Sequence, residues 1–300
     1  MEEWTFNTKP DTKICAYITR GKRKGTELSS EAKALLIFLH YWGGSSSTWH
    51  KLTSPGSRHC VSEDYPTITF DLRGWGKSTG PVKDYEANYS VTKMAQDVIF
   101  TLGELSKDTE NNKLLQHGII LIGHSMGAKV ALATLAESMD GWLLPRIRGL
   151  ILIAPAPPSP VDLPPEMKAQ QQAAYESEDS VRETINYVLA KPANLTESDI
   201  DMIVRDSLAG NSFAKKAWPS YAMKEDISGL VQRAMESAPW KARVIVGEED
   251  VVEPMDRVQS EVVSFLENTG IHVTTTVAKG AKHLLPLEAP EIIAQEIRLF

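Results

Sequence analysis

Short apolar runs rich in isoleucine, leucine and valine recur along the chain, and from the second onward they alternate with longer amphipathic stretches. The runs that read as strands are Ile14–Thr19, Ala34–His40, Thr67–Asp71, Gly118–Gly123, Gly149–Ala154, Ala242–Gly247 and His272–Val277. Several are apolar throughout, as strands covered by helices on both faces are. The stretches between them predict helices over Ser90–Leu105, Met126–Met139, Met255–Asn268 and Pro290–Phe300. In the first, Val91, Met94, Ala95, Val98, Ile99 and Leu102 recur at i, i+3, i+4 spacing, and Ser90 suits an N-cap. This alternation predicts an α/β fold: a mainly parallel twisted sheet flanked by helices.

Residues 156–239 break the rhythm. The segment follows a proline-rich opening at Pro155, holds no strand-like run and carries helix-like stretches near Glu166–Tyr175, Ser180–Leu189 and Glu197–Leu208. An insertion without strands, placed between two sheet strands, belongs outside the sheet. Residues 1–155 and 240–300 therefore read as the core and 156–239 as a helical cap, the alternative being a second independent domain.

Composition narrows the function. Across 300 residues, 42% hydrophobic and 24% charged is ordinary for a globular chain. Thirty-two basic against thirty-nine acidic residues leave a net charge of −7, which repels a phosphate backbone, so nucleic acid is not an expected partner. The two cysteines, Cys15 and Cys60, are too few for a disulfide framework and point to a reduced compartment. The first residues lack an apolar segment, and no window approaches the length of an apolar membrane span. The expectation is a cytoplasmic protein with no membrane partner; the sequence is silent on oligomeric state.

The chemistry concentrates at Gly123-His124-Ser125-Met126-Gly127, a G-x-S-x-G between a predicted strand and a predicted helix. A sharp turn there lifts the serine hydroxyl out of the chain, and flanking glycines remove Cβ atoms that would collide. Serine needs a base, and the base needs an orienting carboxylate. Downstream, one strand ends in Glu248-Glu249-Asp250 and the last leads to His283, so both groups follow strand carboxyl ends, where such sheets build sites. Three acids compete for the orienting role, and Asp250 is favoured for its short reach and its place three residues beyond the strand. His124, beside Ser125, reads as a packing residue. No metal-ligand spacing occurs, and no cofactor is implied. The Met126 amide is one expected oxyanion donor, and the loop Tyr41-Trp42-Gly43-Gly44 after an early strand is the expected source of a second.

These pieces resemble the α/β-hydrolase family, especially its single-cap ester hydrolases and haloperoxidase-like members. The matching segments are Leu39–Gly44 with Trp49, Phe70–Ser78, the nucleophile turn, Val246–Asp250 and His283–Pro290. The resemblance implies Trp42 as the second oxyanion donor, a structural role for Asp71 and Arg73, and a lid role for the insertion. Many relatives have His-Gly where this chain has His40-Tyr41, which puts a bulky ring in the oxyanion loop.

Relatives that open epoxides or displace halide use an aspartate nucleophile, and Ser125 argues against both. The expected activity is hydrolysis of a small-molecule carboxylic ester or lactone through an acyl-enzyme, with Ser125, His283 and Asp250 as triad. The alternatives are a C–C bond hydrolase, a cofactor-free perhydrolase, and a non-catalytic ligand-binding protein. Bulky cap side chains include Tyr175, Tyr187, Phe213, Trp218, Tyr221 and Met223. Tyr41, Trp218 and Tyr221 are the candidates for substrate contact.

Overall fold

The computed structural model describes residues 1–21, 33–83 and 87–300. Its strands are β1 (Glu2–Lys9), β2 (Thr12–Thr19), β3 (Leu35–Leu39), β4 (Thr67–Asp71), β5 (Ile119–His124), β6 (Ile147–Ile153), β7 (Lys241–Gly247) and β8 (His272–Ala278). They form one sheet in the order β1-β2-β4-β3-β5-β6-β7-β8. β1 pairs antiparallel with β2, and β2 with β4; every other pairing is parallel. After β3 the chain goes to β4 on one side and then to β5 on the other. That change of winding direction opens a crevice at the strand carboxyl ends.

Successive residues of the central strands serve opposite faces, because strand side chains alternate. Leu35, Ile37 and Leu39 join one buried cluster with Val98, Leu102, Val130 and Leu132, from the helices Val91–Ser106 and Met126–Glu137. Leu36 and Phe38 join a second with Trp49, Leu52, Ile293 and Ile297, the last two from the helix Pro290–Arg298. Burial on both faces is why these strands read as continuous apolar runs. β1 has no counterpart among the predicted strands. It is an edge strand whose side chains alternate between exposed and half-buried, so it lacks the apolar run of the central strands. The predicted helix Met255–Asn268 is interrupted by a π turn at Gln259–Val263, and Thr109–Leu115, Ser212–Ser220 and Ser228–Glu236 are further helices with short apolar stripes.

Between β6 and β7 the chain forms helices and no strand: Pro165–Ala173, Glu178–Thr184 continued by a π turn at Ile185–Leu189, Glu197–Ala209, Ser212–Ser220 and Ser228–Glu236. This insertion is tied to the sheet body by polar contacts. The Glu225 carboxylate accepts from the Val91 and Thr92 amides at 2.7 and 3.2 Å, at a helix N-terminus where negative charge is favoured. Lys129, fully buried on the helix that follows Ser125, donates to the Ser159 and Met223 carbonyls at 3.0 Å each, and burial pushes its amine down to about 8.

Beside the site, Asp71 accepts from the Ser46 and Lys77 amides at 2.7 and 2.8 Å, which braces two loops. Arg73 is buried and makes a two-pronged ion pair with Asp97, both contacts at 2.7 Å, and donates to the Asn88 carbonyl at 2.8 Å. Removing one partner of such a pair leaves an uncompensated buried charge. Arg73→Ala is therefore expected to lower unfolding free energy by about 3–5 kcal/mol, and the double replacement Arg73→Met/Asp97→Leu by less. Denaturant titration checks both; a single variant as stable as the parent would remove the ion pair from the account.

Candidate active site

Ser125 is the N-cap of the helix Met126–Glu137 and holds φ 54° and ψ −116°, a conformation L residues rarely adopt. The strain is sustained by its surroundings. Its amide donates to the Ile153 carbonyl at 2.9 Å, and its carbonyl accepts from Ala128 at 2.9 Å. The flanking glycines are required by close backbone approach: a Cβ on Gly123 would lie 2.3 Å from the Gly127 carbonyl oxygen, and one on Gly127 would lie 2.2 Å from that of Leu39. Met126 is the first residue of the helix, so its amide is one of the terminal donors that no helical carbonyl reaches.

His283 and Asp250 arrive from the loops after β8 and β7. The His283 Nδ1 donates to Asp250 Oδ2 at 2.8 Å, and His283 is 2% and Asp250 5% exposed. Asp250 Oδ1 accepts from the Val252 and Glu253 amides at 2.8 and 3.0 Å, which holds its carboxylate in place. Burial alone would lower the His283 pKa, but the Asp250 carboxylate, through charge and hydrogen bond, more than offsets it and raises it above the ordinary imidazole value. The other two acids turn elsewhere: Glu248 accepts from the Gly280 amide at 2.8 Å, and Glu249 pairs with Lys191 at 2.7 Å.

Two side chains that the sequence reading passed over hold these loops. His40 donates from Nδ1 to the Tyr41 carbonyl at 2.7 Å and accepts at Nε2 from the Leu72 amide at 3.0 Å. The Tyr41 carbonyl also accepts from the Gly44 amide at 3.1 Å. Because the peptide is trans and planar, pinning that carbonyl fixes the opposite direction of the Trp42 N–H. Glu288, its pKa raised by burial, accepts from the Lys282, Leu284 and Lys191 amides at 3.2, 3.1 and 2.9 Å, so it clasps the His283 loop to the insertion. Sequence offered little signal for either, since both act through contacts with distant backbone. His124 Nε2 donates to the His283 carbonyl at 2.7 Å; it is buried, and desolvation pushes its pKa well down, so the ring is a neutral prop.

Ser125 and His283 open onto one cavity of about 540 Å³. Tyr41, Trp42 and Trp218 also line it, with an apolar majority that includes Val161, Leu163, Met167, Val188 and Met223. The insertion supplies most of this wall. It also grips the loop Tyr41–Gly44: the Tyr175 hydroxyl donates to the Trp42 carbonyl and the Ser207 hydroxyl to the Gly43 carbonyl, both at 2.9 Å. Tyr221, an expected substrate contact, is not among the residues lining this cavity. Its hydroxyl accepts from the Tyr89 amide at 3.1 Å, which draws the ring toward the sheet body instead of the cavity wall. Tyr187 is 77% exposed and Phe213 packs half-buried against the core, so neither is a wall residue. Glu253 and Arg257, which no motif marked, are wall residues joined by an ion pair; burial pushes the Glu253 carboxyl up to about 7.

Residues 36–296 match the sequence model of a family described as the alpha/beta hydrolase family. No curated protein matches the chain. Among solved structures it is similar to a thermophilic esterase from Thermogutta terrifontis, with 21% identity, TM-score 0.70, and 100% of this chain and 97% of that one covered. It is similar to a bromoperoxidase from Bacillus anthracis, with 17% identity, TM-score 0.73, and 99% of each chain covered. An enol-lactonase from Burkholderia xenovorans LB400 shares 15% identity at TM-score 0.69, with 96% of this chain and 95% of that one covered. At such identities the likeness is one of fold. No helix among the described residues is long and apolar enough to cross a membrane.

Proposed function

The chain belongs to the alpha/beta hydrolase family, and we propose that it cleaves carboxylic esters or lactones by serine acyl transfer. The observation that carries this reading is the convergence of Ser125 and His283 on one largely apolar cavity, with His283 hydrogen-bonded to Asp250. In the proposed sequence the Ser125 hydroxyl attacks the carbonyl while His283 takes its proton. The Met126 and Trp42 amides hold the oxyanion, and His283 then protonates the leaving oxygen. Water, deprotonated by His283, releases the acid and restores the serine. Asp250 keeps the imidazole in the required tautomer throughout. The fold likenesses to an esterase and an enol-lactonase are in keeping with this substrate class. The insertion acts as the lid of the cavity.

A panel of aryl esters and lactones, assayed with the intact protein, tests the proposal. Turnover is expected for medium-sized apolar acyl groups that a cavity of this size and lining can enclose. Failure on every ester and lactone, together with cleavage of a β-diketone or halide oxidation with peroxide and acetate, would overturn it in favour of the C–C hydrolase or perhydrolase chemistry.

The oxyanion loop has its own test. Gly43 has φ +100°, and a Cβ there would lie 2.5 Å from the Tyr175 ring. Gly43→Ala is expected to displace the Trp42 amide and lower kcat on the order of a hundredfold, the loss typical of one oxyanion donor. Steady-state kinetics with a thermal melt checks this; an unchanged kcat in folded protein would remove the loop from the mechanism.

A further inference from the structure

The first three carbonyls of the turn Tyr41–Gly44 are all pinned, and by two different parts of the protein. The Tyr41 carbonyl is held from beside the sheet, by His40 Nδ1 and the Gly44 amide at 2.7 and 3.1 Å. The next two are held by the insertion: Trp42 by the Tyr175 hydroxyl and Gly43 by the Ser207 hydroxyl, both at 2.9 Å. Tyr175 is itself fixed in a closed circuit. Its own carbonyl accepts from Lys215 Nζ at 3.2 Å, and the Lys215 carbonyl accepts from the Trp42 indole Nε1 at 3.1 Å. Among these three residues, each backbone carbonyl takes a hydrogen bond from the side chain of another, and the circle closes on Trp42. The Tyr175 and Trp42 rings also pack together, with centroids 4.3 Å apart, and both are buried.

The turn needs such a hold. The Gly44 amide bonds to the Tyr41 carbonyl across four residues, Gly43 has φ +100° and Trp42 has no positive φ, which is the pattern of a type II turn. Glycine at the third position also permits type I, which differs chiefly by rotating the central peptide, here Trp42 C=O with Gly43 N–H, through about 180°. Both types keep the hydrogen bond that closes the turn, so that bond does not choose between them. The Tyr175 hydroxyl does, because reversal would carry the Trp42 carbonyl away from it. Reversal would also invert a peptide dipole one residue from the Trp42 amide, beside which negative charge develops in the reaction proposed above.

We propose that Tyr175 is a positioning residue: its hydroxyl, backed by the circuit through Lys215, locks the central peptide of this turn, so that the loop assigned to the oxyanion is set for reaction only while the insertion is docked. The proposal rests on the hydrolase reading above for the role of the Trp42 amide. The insertion then shapes the reaction centre as well as covering it. The Tyr175 hydroxyl acts through the Trp42 carbonyl and not on the substrate.

Tyr175→Phe keeps the ring and removes the hydroxyl. On an ester that the parent hydrolyses, kcat is expected to fall about tenfold to a hundredfold, up to the loss of one oxyanion donor, with KM within about twofold of the parent. The pH inflection of kcat/KM should stay where it is, because the His283–Asp250 pair is untouched. The inhibition constant of an aryl boronic acid, which forms a tetrahedral anion on a serine, should rise in step with the loss of kcat. Lys215→Met, which removes the donor to the Tyr175 carbonyl, is expected to act several-fold in the same direction. The double variant should fall no further than Tyr175→Phe alone, since the two residues act through one chain of contacts. Crystal structures of the parent and of Tyr175→Phe give a readout that needs no turnover. The central peptide is expected in one orientation in the parent and reversed, or in both orientations, in the variant. An unreversed peptide in the variant overturns the proposal whatever the kinetics. Parent kcat in folded Tyr175→Phe overturns it too, and spares the hydrolase reading. A peptide that reverses in the variant of a protein that turns over no ester supports the lock and overturns that reading instead.

Discussion

Ser125→Ala is expected to lower kcat on a short aryl ester by about a million-fold, the scale seen when a serine nucleophile is deleted from a triad. The fold should survive, since the backbone contacts that hold the turn come from the Ser125 amide and carbonyl and from the two flanking glycines. A methyl side chain at this strained φ is no worse than the hydroxymethyl it replaces. Residual activity above water would come from the oxyanion amides and from binding alone. Circular dichroism beside the kinetic assay separates a chemical loss from unfolding, and a fluorophosphonate should label the parent protein but not the variant. Wild-type turnover by folded Ser125→Ala would end the acyl-enzyme mechanism.

The second large effect is expected at Asp250. Asp250→Asn leaves an amide where the imidazole Nδ1–H now meets a carboxylate at 2.8 Å, and an asparagine NH2 turned to that position stabilises the wrong tautomer. The expected cost is about 10⁴ in kcat. The pH dependence gives a separate signature. His283 works as a base only when neutral, so kcat/KM should rise with pH. With its pKa raised by Asp250, the inflection in the parent should lie above the ordinary imidazole value of about 6.5. Without that carboxylate, burial is left as the larger influence, and the inflection should move to lower pH while the plateau falls. The pH profile of kcat/KM for both proteins checks direction and size. A parent rate that does not change between about pH 5 and 8 would exclude His283 as the base.

Much of this was legible in the linear chain because it is local. The turn at Ser125 demands glycine two residues to either side, since a Cβ at Gly123 or Gly127 would strike backbone. That demand is met within five residues and is visible without coordinates. The central strands announce themselves because burial on both faces leaves no place for polar side chains, whereas β1, half-exposed at the sheet edge, carries no such mark. Spacing from strand ends likewise placed Asp250 and His283 just past β7 and β8, where the two side chains meet.

The sequence by itself determined the mainly parallel sheet, the strained turn at Ser125 and the sheet edge where the proposed site lies, because period, apolar runs and glycine positions are written into neighbouring residues. The tertiary structure alone decided which of three adjacent acids meets His283, how His40 aims the Trp42 amide, and that Trp218 reaches the cavity while Tyr221 turns to Tyr89. Each of these contacts joins residues far apart in the chain, and side-chain direction there is set by packing between elements instead of by local pattern.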